Sequence, residues 1–130
     1  MGQKPQILVV TDILIMVFRG DKKNKKILDE NTGKLAVSNI TYFELLAGLK
    51  TKQRIIDFNK QMRAYIVIHL SEAISRQTFS IFKKYTTTHQ LLPADALIAS
   101  TAIENGLQLL TNNSEDFLFI KELQLFKQNK

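Results

Sequence analysis

The chain contains no cysteine. That absence removes disulfide frameworks, thiolate zinc sites and cysteine nucleophiles together, and it is the usage expected of a reducing compartment. Proline and glycine are scarce, two and five residues among 130, and they form no rich stretch. Collagen-like and linker-like architectures are thereby excluded. Long apolar runs are missing too: residues 13–18 are the longest near the start, far short of the roughly 20 that span a bilayer. No small-residue cleavage pattern follows that run, and Gln6 stands where a myristoylation motif at Gly2 requires Ser or Thr. The reading is a soluble cytoplasmic protein with no membrane segment. His69 and His89 lie apart without ligand spacing and receive no chemistry.

What is present describes a globular chain. It is 45% hydrophobic and 23% charged over 130 residues, the size of one domain, taken as residues 1–130. Eighteen Lys and Arg against twelve Asp and Glu leave a net charge of +6, a balance that favours a polyanionic partner such as nucleic acid.

Short apolar segments alternate with longer patterns of helical period. Strands are predicted over 7–10, 35–37, 65–68, 107–110 and, less regularly, 123–126. Helices are predicted over 22–31, 40–49, 52–63, 71–85 and 93–104, with Pro93 in a first turn and Asn105-Gly106 closing that helix. Residues 13–18 read only as an apolar segment ending at the turn Arg19-Gly20-Asp21. Such alternation implies an α/β fold with a mainly parallel sheet of four to five strands.

The placement of the acids is more telling than their number. Asp12 is the only charge from residue 5 to 18, Glu44 the only one from 35 to 49, and Asp95 the only formal charge from 85 to 103. Each sits just after a predicted strand or near the start of a helix, and in a parallel α/β sheet those places gather at the carboxyl ends of the strands. A fourth candidate lies in TNNSEDF at 111–117. Each acid also has a purely structural reading. Thr41 and Glu44 have capping-box spacing; Asp95 could complement a helix dipole; Asp12 could be an N-cap; Asp116 beside Glu115 could be an acidic helix start. Taken jointly, carboxylates converging in one pocket repel each other and raise each other's pKa, which a divalent cation relieves. Oxygen donors without Cys or paired His suit Mg²⁺ or Mn²⁺, and such a cation beside a polyanion is the setting of phosphoryl transfer.

Four segments, LVVTD at 8–12, VSNITYFELLAG at 37–48, LPADALIA at 92–99 and LLTNNSEDF at 109–117, resemble the PIN-domain ribonucleases, most closely the VapC-like toxins of toxin–antitoxin pairs. The resemblance covers nearly the whole chain in order. It implies a three-layer α/β/α fold and a Mg²⁺- or Mn²⁺-dependent endoribonuclease that leaves 3′-hydroxyl and 5′-phosphate ends. It implies Asp12, Glu44, Asp95 and Asp116 as catalytic, metal-binding acids, with Glu115 as a substitute for Asp116. Thr111 and Asn113 would support the site. A small antitoxin protein, an RNA substrate and a homodimer are the implied partners. Two departures stand out: relatives often carry a small hydroxyl residue directly after the first acid, where this chain has Ile13, and some carry Asp at the place of Asn113.

Arg19, Lys22 and Lys23, with Lys25 and Lys26, form one basic group; Lys50, Lys52 and Arg54, with Lys60 and Arg63, form another. They read either as phosphate-steering contacts to RNA or as solvated helix faces. Phe43, Phe79, Phe82 and Tyr42 could stack on bases, although helical spacing favours core or interface. The alternative function is an RNA-binding or degenerate PIN module without turnover. A phosphoacceptor receiver domain would need an acidic neighbour beside Asp12, which is absent.

Overall fold

A computed structural model describes residues 4–127; Gly2, weighed above as an acylation site, lies outside them. Strand β1 (Ile7–Val9) is buried along its whole length, and so is β2 (Leu35–Ser38). With β3 (Ile66–Ile68), β4 (Gln108–Leu110) and β5 (Gln124–Leu125) they form one sheet in the order β3-β2-β1-β4-β5. Every neighbouring pair is parallel. The short apolar sequences of β1 and β2 are what a strand covered on both faces requires.

Helices supply the two covers. On one face α1 (Thr11–Phe18), α2 (Lys22–Glu30), α3 (Asn39–Ala47) and α4 (Lys52–Gln61) bury Ile13, Leu14, Leu28, Leu45 and Phe58 against Ile7, Val9, Leu35 and Val37. On the other, α5 (Glu72–Tyr85) and α6 (Pro93–Asn105) bury Ile81, Tyr85, Ala96, Ile98, Ala99 and Ala102 against Leu8, Val10, Ala36 and Leu109. Alternation along β1 therefore sends Ile7 and Val9 to one core and Leu8 and Val10 to the other. The three-layer α/β/α arrangement follows.

Local signals explain most element ends. Asp21, Ser38, Thr51 and Ser71 cap α2 to α5 by accepting from backbone N–H groups of their first turns. Gly106, at φ +63°, closes α6 in the left-handed conformation that L side chains rarely adopt. Two sequence expectations need correction. Residues 13–18 belong to a true helix that starts at Thr11, because Val10 is still extended (φ −85°, ψ 158°) and ends the strand run. Thr41 and Glu44 form no capping box, since Ser38 caps α3 and Thr41 lies inside it. No described helix is long and apolar enough to cross a membrane.

The chain runs outward from the central strand β1 in both directions, to β2 and β3 on one side and to β4 and β5 on the other. A crevice opens at the carboxyl end of such a switch point.

Candidate active site

Four segments deliver polar side chains to that crevice. Thr11 and Asp12 open α1 just after β1; Glu44 comes from the middle of α3, after β2; Asp95 sits in the first turn of α6. Thr111, Asn113 and Asp116 follow β4, the last of them in a 3-10 turn, Ser114–Asp116. Together with Val10, Ile15, Ile98 and Phe117 they line one cavity of about 250 Å³. All four acids singled out by the sequence, and both supporting residues, therefore border the same space. Asp12 and Asp95 are partly buried, while Glu44 and Asp116 are exposed.

The acids are held by different means. Thr11 Oγ1 stands 2.7 Å from Glu44 Oε1 and 3.1 Å from Thr41 Oγ1. One hydroxyl proton serves one acceptor, and a carboxylate is the stronger one, so Thr11 donates to Glu44 and the buried Thr41 donates to Thr11. Asp12 is turned toward the chain after β4. Its Oδ2 accepts from the backbone N–H of Asn112 at 2.8 Å and from Thr111 Oγ1 at 3.2 Å. Thr111 Oγ1 in turn accepts from the N–H of Asn113 at 3.0 Å. The Asp12 carboxylate is thus the anchor of that turn.

Asp95 carries the electrostatic cost of the arrangement. Burial raises its pKa above the ordinary 3.8, and the charges of Asp116, Glu44 and Asp12 raise it further. Its carboxyl therefore holds a proton more readily than a solvated Asp. In donor chemistry the cavity fits a hard divalent cation: oxygen ligands only, from four acids, in a partly dehydrated recess. Among the described residues no three acidic or imidazole groups are clustered closely enough to hold a metal ion.

The basic residues lie elsewhere. Arg19, Lys22, Lys23, Lys50, Lys52 and Arg54 are all exposed, on or beside α1, α2 and α4, and none lines the cavity. Glu115 is likewise exposed and outside the lining. Tyr42 stacks edge-on against Phe58 in the core, whereas Phe43 and Phe79 are 58% and 66% exposed.

A family model described as PIN domain matches residues 7–121. The chain belongs to the PIN-domain family. Among similar proteins, this PIN domain is 30% identical over 121 residues to Ribonuclease VapC10 of Mycobacterium tuberculosis, covering 91% of this chain and 90% of the relative. It is also 30% identical over 121 residues to Ribonuclease VapC19 of the same species, covering 90% and 96%. A toxin–antitoxin complex from Klebsiella pneumoniae matches with a TM-score of 0.79 at 28% identity, over 91% of this chain and 95% of that one. VapBC2 from Rickettsia felis, bound to a promoter DNA fragment, shares the fold with a TM-score of 0.83 at 21% identity, over 98% and 100%.

Sequence reasoning about this PIN domain missed the residues that hold the acids rather than bear charge. Thr11 was adjacent to Asp12 and uncounted. Thr41, three positions before Glu44, has the spacing of a cap, and the same spacing places both on one helix face. The backbone N–H of Asn112 has no signature in sequence.

Proposed function

We propose that this PIN domain is a divalent-metal-dependent endoribonuclease and the toxin of a toxin–antitoxin pair. The observation that carries the reading is the meeting of four acids from four separate segments around one cavity. Relatives named as ribonucleases, at 30% identity over nine-tenths of the chain, support the class of reaction. The toxin–antitoxin complex at 28% identity supports a small antitoxin protein as partner. We assign the chain a cytoplasmic location and a homodimeric state on the same family resemblance.

Glu44, Asp95 and Asp116 would hold Mg²⁺ or Mn²⁺. When bound, the cation supplies charge for the scissile phosphate and a lowered pKa for the attacking water. The chain's own residues do the rest. Burial and the charges of Asp116, Glu44 and Asp12 raise the pKa of Asp95, a cost that a bound cation would relieve. Thr11 keeps Glu44 oriented through the 2.7 Å hydrogen bond. Ile15, Ile98 and Phe117 form apolar walls that strengthen the interactions inside. The exposed Arg19, Lys22, Lys23, Lys50, Lys52 and Arg54 lie outside the cavity and would draw the RNA backbone toward the molecule.

The test is cleavage of a structured RNA in Mg²⁺ or Mn²⁺. Activity should vanish in EDTA and in Asp95→Asn. Full activity of Asp95→Asn would overturn the catalytic reading, and salt-sensitive RNA binding without cleavage in Mn²⁺ would make the chain a binding module.

A further inference from the structure

We propose that Asp12 is a positioning residue rather than a cation ligand, and that Val10 occupies the place from which a further carboxylate would reach the cation. The inference rests on the ribonuclease reading for its site and divides the labour within it.

Geometry separates the two residues. Val10 follows the last residue of β1, is 6% exposed, and shares with Leu8 the core on the α6 side of the sheet. Asp95 comes from the first turn of that same helix, and Val10 and Asp95 border the same cavity. A side chain at position 10 thus enters the crevice from its floor, at the centre of the sheet. What it presents is a branched hydrocarbon.

Asp12 borders the same cavity but is tied to the chain following β4, with its Oδ1 3.4 Å from Thr111 Oγ1. Its Oδ2 takes a backbone N–H at 2.8 Å and a hydroxyl at 3.2 Å, both from the chain following β4. Those bonds fix Thr111 and Asn112, and through Thr111 Oγ1 they fix the N–H of Asn113. Asp116 follows three residues later, in the turn whose N–H groups reach back to Asn113 and Ser114. Asp12 therefore acts on the cavity through Asp116, by holding the segment that carries it.

The experiment measures Mn²⁺ binding by calorimetry on the full chain and on Asp12→Asn, Asp12→Ala and Val10→Asp. An asparagine oxygen still accepts from Asn112 and Thr111, so Asp12→Asn should bind Mn²⁺ within about threefold of the unchanged chain, while Asp12→Ala weakens binding about tenfold or more. Hydrogen exchange at the Asn112 amide should rise in Asp12→Ala and be restored in Asp12→Asn. Val10→Asp should tighten Mn²⁺ binding by about tenfold or more, with a lower melting temperature in EDTA that Mn²⁺ restores. Equal loss of binding in Asp12→Asn and Asp12→Ala overturns the proposal, as does a folded Val10→Asp with no gain. Should Val10→Asp not fold, the Asp12 pair decides alone. An unchanged chain that cleaves no RNA, with this ranking of Mn²⁺ affinities intact, would remove the ribonuclease reading and leave the division of labour standing.

Discussion

Replacing Thr11 with valine removes one hydroxyl and keeps the shape. Two groups lose by it. Glu44 loses a 2.7 Å charge-assisted hydrogen bond, which is worth about 1 kcal/mol because the carboxylate is exposed and screened. Thr41, fully buried at 0% exposure, loses the acceptor of its proton, and an unpaired buried hydroxyl costs about 1–3 kcal/mol. The combined loss is about 2–4 kcal/mol. For a domain of this length each kcal/mol moves the midpoint by about 3–5 °C, so Thr11→Val should melt about 10 °C lower, read by circular dichroism in EDTA. Thr41→Val alone leaves Thr11 bonded to Glu44 and should cost about 1 kcal/mol or less. The double variant leaves no orphaned hydroxyl, and its melting temperature should recover most of the way toward the unchanged chain. A double variant as unstable as Thr11→Val, or Thr11→Val melting with the unchanged chain, would refute the relay from Thr41 through Thr11 to Glu44.

Asp95 has a folded pKa raised above 3.8 by burial and by Asp116, Glu44 and Asp12; the folded state therefore holds that proton more tightly than the unfolded one, and metal-free stability should fall as pH rises from 3.8 through the raised value. Asp95→Asn should remove that fall, so urea midpoints in EDTA at neutral pH should be higher for the variant. Gly106→Ala places a side chain at φ +63° and should cost about 1 kcal/mol in thermal melts, with Gly106→Asn costing less. Leu109→Ala empties a fully buried position of β4 and should cost about 2–5 kcal/mol by urea titration.

The layers of the fold were legible because this sheet is made from segments with one meaning. Leu35-Ala36-Val37 is too short for a helix and too apolar for a surface strand, and it is buried throughout. The start of α1 was not legible. Thr11 to Phe18 is apolar nearly all round, and neither Val10 nor any side chain caps it, so periodicity gave no boundary. Three acids were legible by isolation, since a lone charge in an apolar stretch either finds water at a strand end or finds a partner, and Asp12, Glu44 and Asp95 all border one cavity with Asp116. Their partners were not, because Asp12 is satisfied by a peptide N–H 100 positions away, and backbone donors leave no trace in residue identity. Val10 looked like the last core residue of a strand, and it is one; that it also floors the cavity depends on where β1 stops.

The pairing of β1 with β4 has a bearing on the order in which the molecule is made. Chains emerge N-terminus first and fold as they lengthen. The segment carrying Asp12 and Glu44 can take shape early, but its partner strand spans Gln108–Leu110. A growing chain that has not reached residue 108 has no strand to complete the crevice, no Asn112 to orient Asp12 and no Asp116. Under the ribonuclease reading, a chain stopped before residue 108 lacks a complete crevice, and competence arrives only once β4 and the turn after it are made.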